Sequence, residues 1–534
     1  MIKQKFTYLL LFIVLITQIN IAYSQSKQKI IDAEYNFKNK NYEIALDQYL
    51  KIYKRVKNNP VYNYRIGYCY MFVNRDRSKA IPFLEYVDTI PDVPVNSHLL
   101  LGIAYFYAKK FDKSKQKINE VIKKYKDKLT PDEIDYAKKH IMWAQTAKEL
   151  MKHPLNVSFY NIGSTVNTKR DEILPKVASD GTYMAYTTDK KYNSDFQILI
   201  YNVYFTYPKP SDYSYWSKGK SAGSAINTDE NEFLVNISKD NEKLLVFVDH
   251  IGEPGDIVFV NKKGKRYKEL EKLGKVINTK YNEWGADLSI NEDTLFFASD
   301  RPGGYGGYDI YMSRKLPDGS WGLPINLGPQ INTKDNEALP TISYVRGFEM
   351  YFASDRPQSM GGYDIFYTFY KGGKFVKPKN FGYPINDLYD NLTISFAGNP
   401  RYAYVSRVAK DGYGDMDIYK VIFNDRPTPI TILTGKLLEG NYYQNKPVSN
   451  PEDIEISVTN LKTKEELSSQ FRVSKTTERY TITLKPGTYK IGISSPKHEP
   501  YSKTITIYDE PVPSYIHKED IILTPKVEKK TKKY

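Results

Sequence analysis

Apolar residues fall at helical spacing from about residue 27 to 152, then give way to the alternation of short strands over most of the remaining chain. The helical stretch repeats. Ala33, Gly67 and Gly102 stand 34 and 35 residues apart, and Ala45, Ala80 and Ser114 stand 35 and 34 apart. Tyr49, Leu84 and Ile118 keep the same register. Small residues at this period suit helix hairpins, whose two helices touch closely where side chains are short. Pro60 and Pro94 fall where a repeat should end. The pattern predicts about three helix pairs, closed by a helix from Pro131 to Met151.

A second repeat occupies residues 155–425. Each unit reads Ile-Asn-Thr, an acidic residue, two strands, then Tyr-Asp-Ile-Tyr. The fullest copy holds Ile277-Asn278-Thr279 and Glu283, then Ser299-Asp300-Arg301-Pro302-Gly303-Gly304 and Tyr308-Asp309-Ile310-Tyr311. The next holds Ile331-Asn332-Thr333, Glu337, Ser354-Asp355-Arg356-Pro357 and Gly361-Gly362-Tyr363-Asp364-Ile365. Shorter copies carry Val166-Asn167-Thr168, Ile226-Asn227-Thr228 and Ile385-Asn386-Asp387. The five Asn positions are spaced 60, 51, 54 and 54 apart. In the first and fifth units, Asp189-Lys190-Lys191 and Ser406-Arg407 replace the Ser-Asp-Arg-Pro-Gly-Gly turn.

A repeat of this length, holding about four short strands, makes one blade of a β-propeller. The fifth unit lacks a fourth strand, and Val157–Ile162 stands ahead of the first unit in the place of one. That segment is expected to close the ring and remove the exposed sheet edges. Five blades are expected, with six as the alternative. The motif resembles the WD-like repeat of TolB-type propellers. The helical period resembles the tetratricopeptide repeat, whose arrays present a concave surface to a partner. Further on, Thr431–Leu437, Ile454–Asn460, Tyr480–Leu484, Thr488–Ser494 and Ile505–Tyr508 read as strands, with a tight turn at Lys485-Pro486-Gly487. This part resembles the carboxypeptidase regulatory-like domain, a prealbumin-like β-sandwich, and the resemblance implies no chemistry.

The fold class is therefore multidomain α + β. A signal peptide (1–24), a tetratricopeptide helical domain (25–153), a propeller (154–425), a regulatory-like sandwich (426–525) and a basic disordered tail (526–534) are expected in that order. Lys3 and Lys5, the apolar stretch Leu9–Ile16 and the small-x-small site Ala22-Tyr23-Ser24 mark the signal, with Gln25 beginning the mature chain. No later stretch has the ~18 continuous apolar residues of a spanning helix. Cys69 is the single cysteine. An exported chain with one cysteine has no internal disulfide, and Cys69 reads as a small buried side chain.

The net charge is +15. Residues 26–153 hold 25 Lys/Arg against 15 Asp/Glu, and the tail from Lys526 holds five Lys and one Glu. Such a surface could meet an acidic partner or anionic lipid; solvated helix faces are the plainer reading, and an exported chain is not expected to meet nucleic acid.

No catalytic, cofactor-binding or metal-ligating residue is assigned, no cofactor is expected, and the chain is read as not an enzyme. Gly219-Lys220-Ser221-Ala222-Gly223 matches the G-x-S-x-G nucleophile pattern but lies between two propeller units rather than at a strand–helix elbow. Roughly 110 residues follow the propeller, too few for the hydrolase domain that accompanies propellers in prolyl peptidases. His98, His140, His153, His250, His498 and His517 are scattered, with no i, i+4 pair. Asp300 and Asp309 are expected to bond turn amides, Arg301 to pair with Asp309, and the turn glycines to supply positive φ. Asp411, Asp415 and Asp417 crowd one loop, a cation or sugar site on paper, but without the spacing of a calcium loop.

The domain order resembles PorE-like proteins of type IX secretion and gliding, and OmpA-family proteins of Bacteroidetes more widely. The chain lacks their OmpA-type C-terminal domain and the lipid-bearing cysteine, so neither anchor carries over. The resemblance implies a non-enzymatic scaffold of the periplasm or outer membrane. It would bind envelope proteins through the helical groove or the propeller face. Recognition of peptidoglycan or another glycan by the propeller face is the alternative.

Overall fold

The computed structural model describes residues 27–526, apart from 74–75, 194–197, 210–211, 251, 265, 344–346, 441–443, 468–470, 472, 475–478 and 510–515. The expected signal peptide lies outside the described residues, as does the tail beyond Lys526. Among the described residues no helix is long and apolar enough to cross a membrane.

Among the described residues seven α-helices open the fold: α1 (27–38), α2 (Tyr42–Tyr53), α3 (Pro60–Phe72), α4 (Ile81–Asp88), α5 (Asn96–Tyr107), α6 (Phe111–Tyr125) and α7 (Pro131–Leu150). Pro60 begins a helix, capped by the Asn59 side chain, because a proline at the first helical position loses no intrahelical bond. Thr130 and Glu133 form a capping box that starts α7. The small-residue period has a direct cause. A Cβ on Gly67 would lie 2.6 Å from Leu84, and one on Gly102 would lie 2.7 Å from Ile118. Consecutive helices therefore pack in contact, and Leu46, Tyr49, Ile66, Phe106 and Trp143 fill one core between them. Cys69 is buried there, and burial pushes its thiol up to about 12.

Among the described residues five antiparallel sheets of four or five strands follow, with a two-stranded hairpin of Pro208–Lys209 and Asp212–Trp216 within the first unit. The first holds Glu172–Val177, Met184–Asn193, Ile198–Thr206 and Lys220–Ser221. The second holds Asn231–Ile237, Lys243–Asp249, Asp256–Lys263 and Arg266–Lys272. The third holds Glu283–Leu288, Thr294–Ser299, Asp309–Arg314 and Ile325–Asn326. The fourth holds Glu337–Ser343, Glu349–Ser354 and Asp364–Lys371, edged by two short strands at Lys374–Phe375 and Lys379–Asn380. The fifth holds Ser395–Ala397, Asn399–Arg407 and Asp417–Phe423, completed by Val157–Asn161 from before the first sheet.

Each sheet buries one face against the next. Val203 meets Leu234 and Val246; Ile257 meets Phe297; Phe296 meets Met350 and Phe352; Ile365 meets Val421. Tyr402 and Tyr404 of the fifth sheet return to Met184 and Tyr186 of the first. The sheets thus close into a propeller.

The repeat motif supplies the links of the ring. The motif Asn of each unit reaches back to the third strand of the preceding sheet. Its Oδ1 accepts from, and its Nδ2 donates to, the backbone of one residue there. Asn227 holds Val203, Asn278 holds Ile257, Asn332 holds Ile310 and Asn386 holds Ile365, at 2.8–3.1 Å. Asn167 holds Ile418 in the same way and ties the two ends of the ring. The next residue, Thr168, Thr228, Thr279 or Thr333, is bonded through N–H and hydroxyl to a buried carboxylate, Glu172, Glu232, Glu283 or Glu337. Buried polar groups must be satisfied, so these residues serve structure.

Residues beyond 430 form two sheets around one apolar core that includes Leu433, Tyr480, Ile491 and Leu523. In one sheet Thr431–Gly440 is central; the other joins Glu455–Asn460, Gly487–Ser495 and His498–Ile507. This last strand begins at His498 rather than at Ile505. It is an edge strand with a register shift near Pro500, where the missing N–H is tolerated.

Candidate functional site: the cleft between the helical array and the ring

The helical array sits on one face of the ring. Met360 and Leu388, from loops of the fourth and fifth units, belong to the buried core of the helices. The α7 face supplies polar anchors. Lys139 Nζ lies 2.8 Å from both Asp335 and Asp355. The indole of Trp143 donates to Arg356 O at 3.3 Å, and the Thr146 hydroxyl donates to Pro357 O at 3.2 Å. Near the turn before α4, the Arg77 guanidinium lies over Tyr107 and donates to its hydroxyl, while Tyr107 packs on Tyr389 at 5.2 Å.

Between these anchors a cleft of about 1180 Å³ remains open. Its walls include Asp76, Tyr107 and Met151 of the helices and Tyr383, Tyr389, Arg407 and Tyr413 of the ring. Glu43 of α2 and Asp415 of the fifth unit separate it from a smaller cavity of about 210 Å³, lined by Tyr42, Asp171, Asp189 and Tyr201. The Glu43 carboxyl is pushed up to about 8, first by burial and then by Asp415, to which it is hydrogen-bonded. At neutral pH Glu43 therefore keeps its proton and hydrogen-bonds Asp415. Arg170 stands 3.7 Å from Glu43. Asp171 accepts from the Tyr201 hydroxyl at 3.1 Å, and Asp189 accepts from the Asp171 amide at 2.9 Å. Burial also raises Asp189.

Of the residues singled out in the sequence, Asp387, Arg407 and Asp415 line this cleft, and Asp189 lines the smaller cavity. Asp417 accepts from the Tyr413 and Gly414 amides, and Asp411 from the Tyr419 hydroxyl. Among the described residues no group of three His, Cys, Asp or Glu side chains is placed to hold a metal ion. Asp309 bonds the turn amides of Tyr305 and Gly306, as expected. Asp300 instead accepts from the amide and side chain of Asn282. Arg301 pairs with Glu283 at 3.2 Å and Ser299, not with Asp309. Of the turn glycines, Gly303 takes positive φ, whereas Gly306 serves close approach: a Cβ there would lie 2.3 Å from Asp335 O.

Ser221 lies on a two-residue strand at the surface. Its hydroxyl accepts from Asn227 Nδ2 at 2.9 Å and from the Gly223 amide at 3.3 Å. His140 is buried against Tyr136 O, and burial lowers it to about 3. His98 bonds Asp88 at 2.5 Å, and His498 lies between Ser495 and Glu439.

No protein-family model matches the chain, and no curated protein is similar to it in sequence. Solved structures similar to it include TolB from Acinetobacter baumannii, at 14% identity and a TM-score of 0.29, covering 47% of this chain and 54% of that one. The endo-arabinase from Bacteroides thetaiotaomicron is similar at 14% identity and a TM-score of 0.33, over 50% of this chain and 98% of that one. The periplasmic gluconolactonase of Pseudomonas aeruginosa is similar at 8% identity and a TM-score of 0.26, over 63% and 85%. Likeness at this level assigns no activity to the present chain.

Proposed function

We propose that this protein is an exported, non-enzymatic scaffold of a Bacteroidetes-type envelope, in the periplasm or at the outer membrane, associated with type IX secretion or gliding. In this reading the five sheets are five propeller blades, the helices form tetratricopeptide repeats, and the last two sheets form a regulatory-like sandwich. One observation carries it: helices and ring share a core through Met360 and Leu388, so they hold a composite cleft open as one body. A preformed groove built from two interaction modules suits a partner segment, since little ordering cost falls on the protein. The test is an affinity pull-down of the tagged chain from crosslinked native envelopes, read by mass spectrometry. Outer-membrane secretion or gliding proteins are the expected catch. Recovery of no envelope protein overturns the reading.

A second reading, recognition of peptidoglycan or another glycan, is favoured by Tyr413 of the cleft, whose exposed ring offers a stacking face. Co-sedimentation with purified cell wall, lost in Tyr413→Ala, is expected under it; absence of sedimentation removes it.

A further inference from the structure

Four lysines line the cleft: Lys79 ahead of α4, Lys109 between α5 and α6, whose ammonium lies 5.8 Å from the Tyr383 ring centre, Lys169 at the entry to the first sheet and Lys410 in the fifth unit. All four are exposed, and none forms an ion pair with a described carboxylate. Asp47 lines the same cleft, and the cleft's other carboxyls are engaged within the protein. Asp387 is held by Arg407 at 3.3 Å and by the Tyr389 amide. Asp76 bonds the amide and hydroxyl of Ser78. Glu43 and Asp415 bond each other. The lining holds six cationic side chains, the four lysines with Arg170 and Arg407, against five carboxyls, Glu43, Asp47, Asp76, Asp387 and Asp415, so its balance is positive.

The floor between the lysines is partly apolar, with Ala108, Met151, Val408 and Ala409. Aliphatic or aromatic side chains laid over such a floor would gain by burial. At about 1180 Å³ the space exceeds the ordinary small-molecule pocket and fits a polymer segment.

We propose that this cleft binds an extended acidic segment of a protein partner, its carboxylates on Lys79, Lys109, Lys169 and Lys410 and its apolar side chains on the floor. The proposal rests on the scaffold reading and names the chemistry of the partner that reading requires.

The experiment titrates the chain from Gln25 onward with fluorescein-labelled peptides of Asp, Glu, Ser, Leu and Tyr, read by anisotropy. A charge-reversed set carries Lys in place of each acid. The acidic set is expected to bind at least about tenfold tighter, and to weaken about tenfold between roughly 0.05 and 0.5 M salt, as screening requires. A quadruple Lys→Glu variant is expected to lose the binding. A quadruple Lys→Gln variant, checked for an unchanged thermal midpoint, is expected to weaken it at least about tenfold, since ligand carboxylates lose all four partners. Equal binding of the two peptide sets, or undiminished binding by a folded Lys→Gln variant, overturns the proposal. Binding of sodium polygalacturonate without acidic-peptide binding also overturns it and moves the site to an acidic glycan. A successful envelope pull-down alongside failed peptide binding would leave the scaffold reading standing and remove only the cleft assignment.

Discussion

The ring meets its two neighbours in different ways. On the helical side, apolar residues of the ring enter the neighbour's core, and the Arg356 turn receives Trp143 while Asp355 beside it receives Lys139. On the C-terminal side, among the described residues, no ring residue enters the core. The described polar contacts there centre on one carboxylate, Asp509, which accepts from Arg401 at 2.7 and 3.1 Å and from the Tyr402 hydroxyl at 2.5 Å. A shared core resists separation in proportion to the apolar surface it hides, whereas a single ion pair, here with Arg401 buried and Asp509 partly open to water, contributes about 1.5–3 kcal/mol at most. The comparison assigns the helices and ring to one mechanical unit and the last region to a tethered one.

Removal of an anchor on each side is the direct way to break this comparison. Trp143→Ala empties a buried site at the helical junction and is expected to cost about 3–5 kcal/mol. Urea denaturation should show helices and ring melting together in the parent and apart in the variant; a single unchanged transition would contradict the shared unit. Arg356→Ala leaves Glu337 buried without its partner, and about 3–5 kcal/mol is expected. The matched change in the third unit, Arg301→Ala, should cost about 1–3 kcal/mol, because that guanidinium is more open to water and carries no helix. Equal losses at the two sites would show that docking adds nothing to the Arg356 turn.

Asp509→Ala is expected to cost about 1.5–3 kcal/mol at most and to leave the ring transition in place. Its signature should be faster proteolysis between residues 424 and 430, read by intact mass.

The smallest effect sharpens the helical junction through pH. Glu43 sits at about 8 in the fold against 4.5 ordinarily. Between those values the native chain binds more protons than the unfolded one, so stability falls as pH rises through that window and is flat above it. Glu43→Gln removes this dependence and should raise the thermal midpoint at pH 8 by about 2–4 °C. An equal midpoint at pH 8 would show that Glu43 is not held protonated.

Much of the local architecture was legible in the chain. The 34-residue period located the contacts of Gly67 and Gly102, and the Asn spacing located all five links of the ring. The Arg301 pairing was misread because linear proximity favoured Asp309. Strand pairing sets Glu283 opposite Ser299, which brings its carboxylate to the guanidinium, while Asp309 is filled by turn amides and Asn326. Nothing in either period relates the two repeats to each other, so the cleft had no linear signature.

The sequence by itself determined the two repeats, their periods and the side chains that link neighbouring units. Such links join residues whose spacing recurs, and a recurring spacing is visible in one chain. The tertiary structure alone decided that the helices cap the ring, that Glu43 meets Asp415, and that four lysines from separate segments face one cleft. Those contacts occur once each, between elements whose packing is chosen by the fit of whole surfaces.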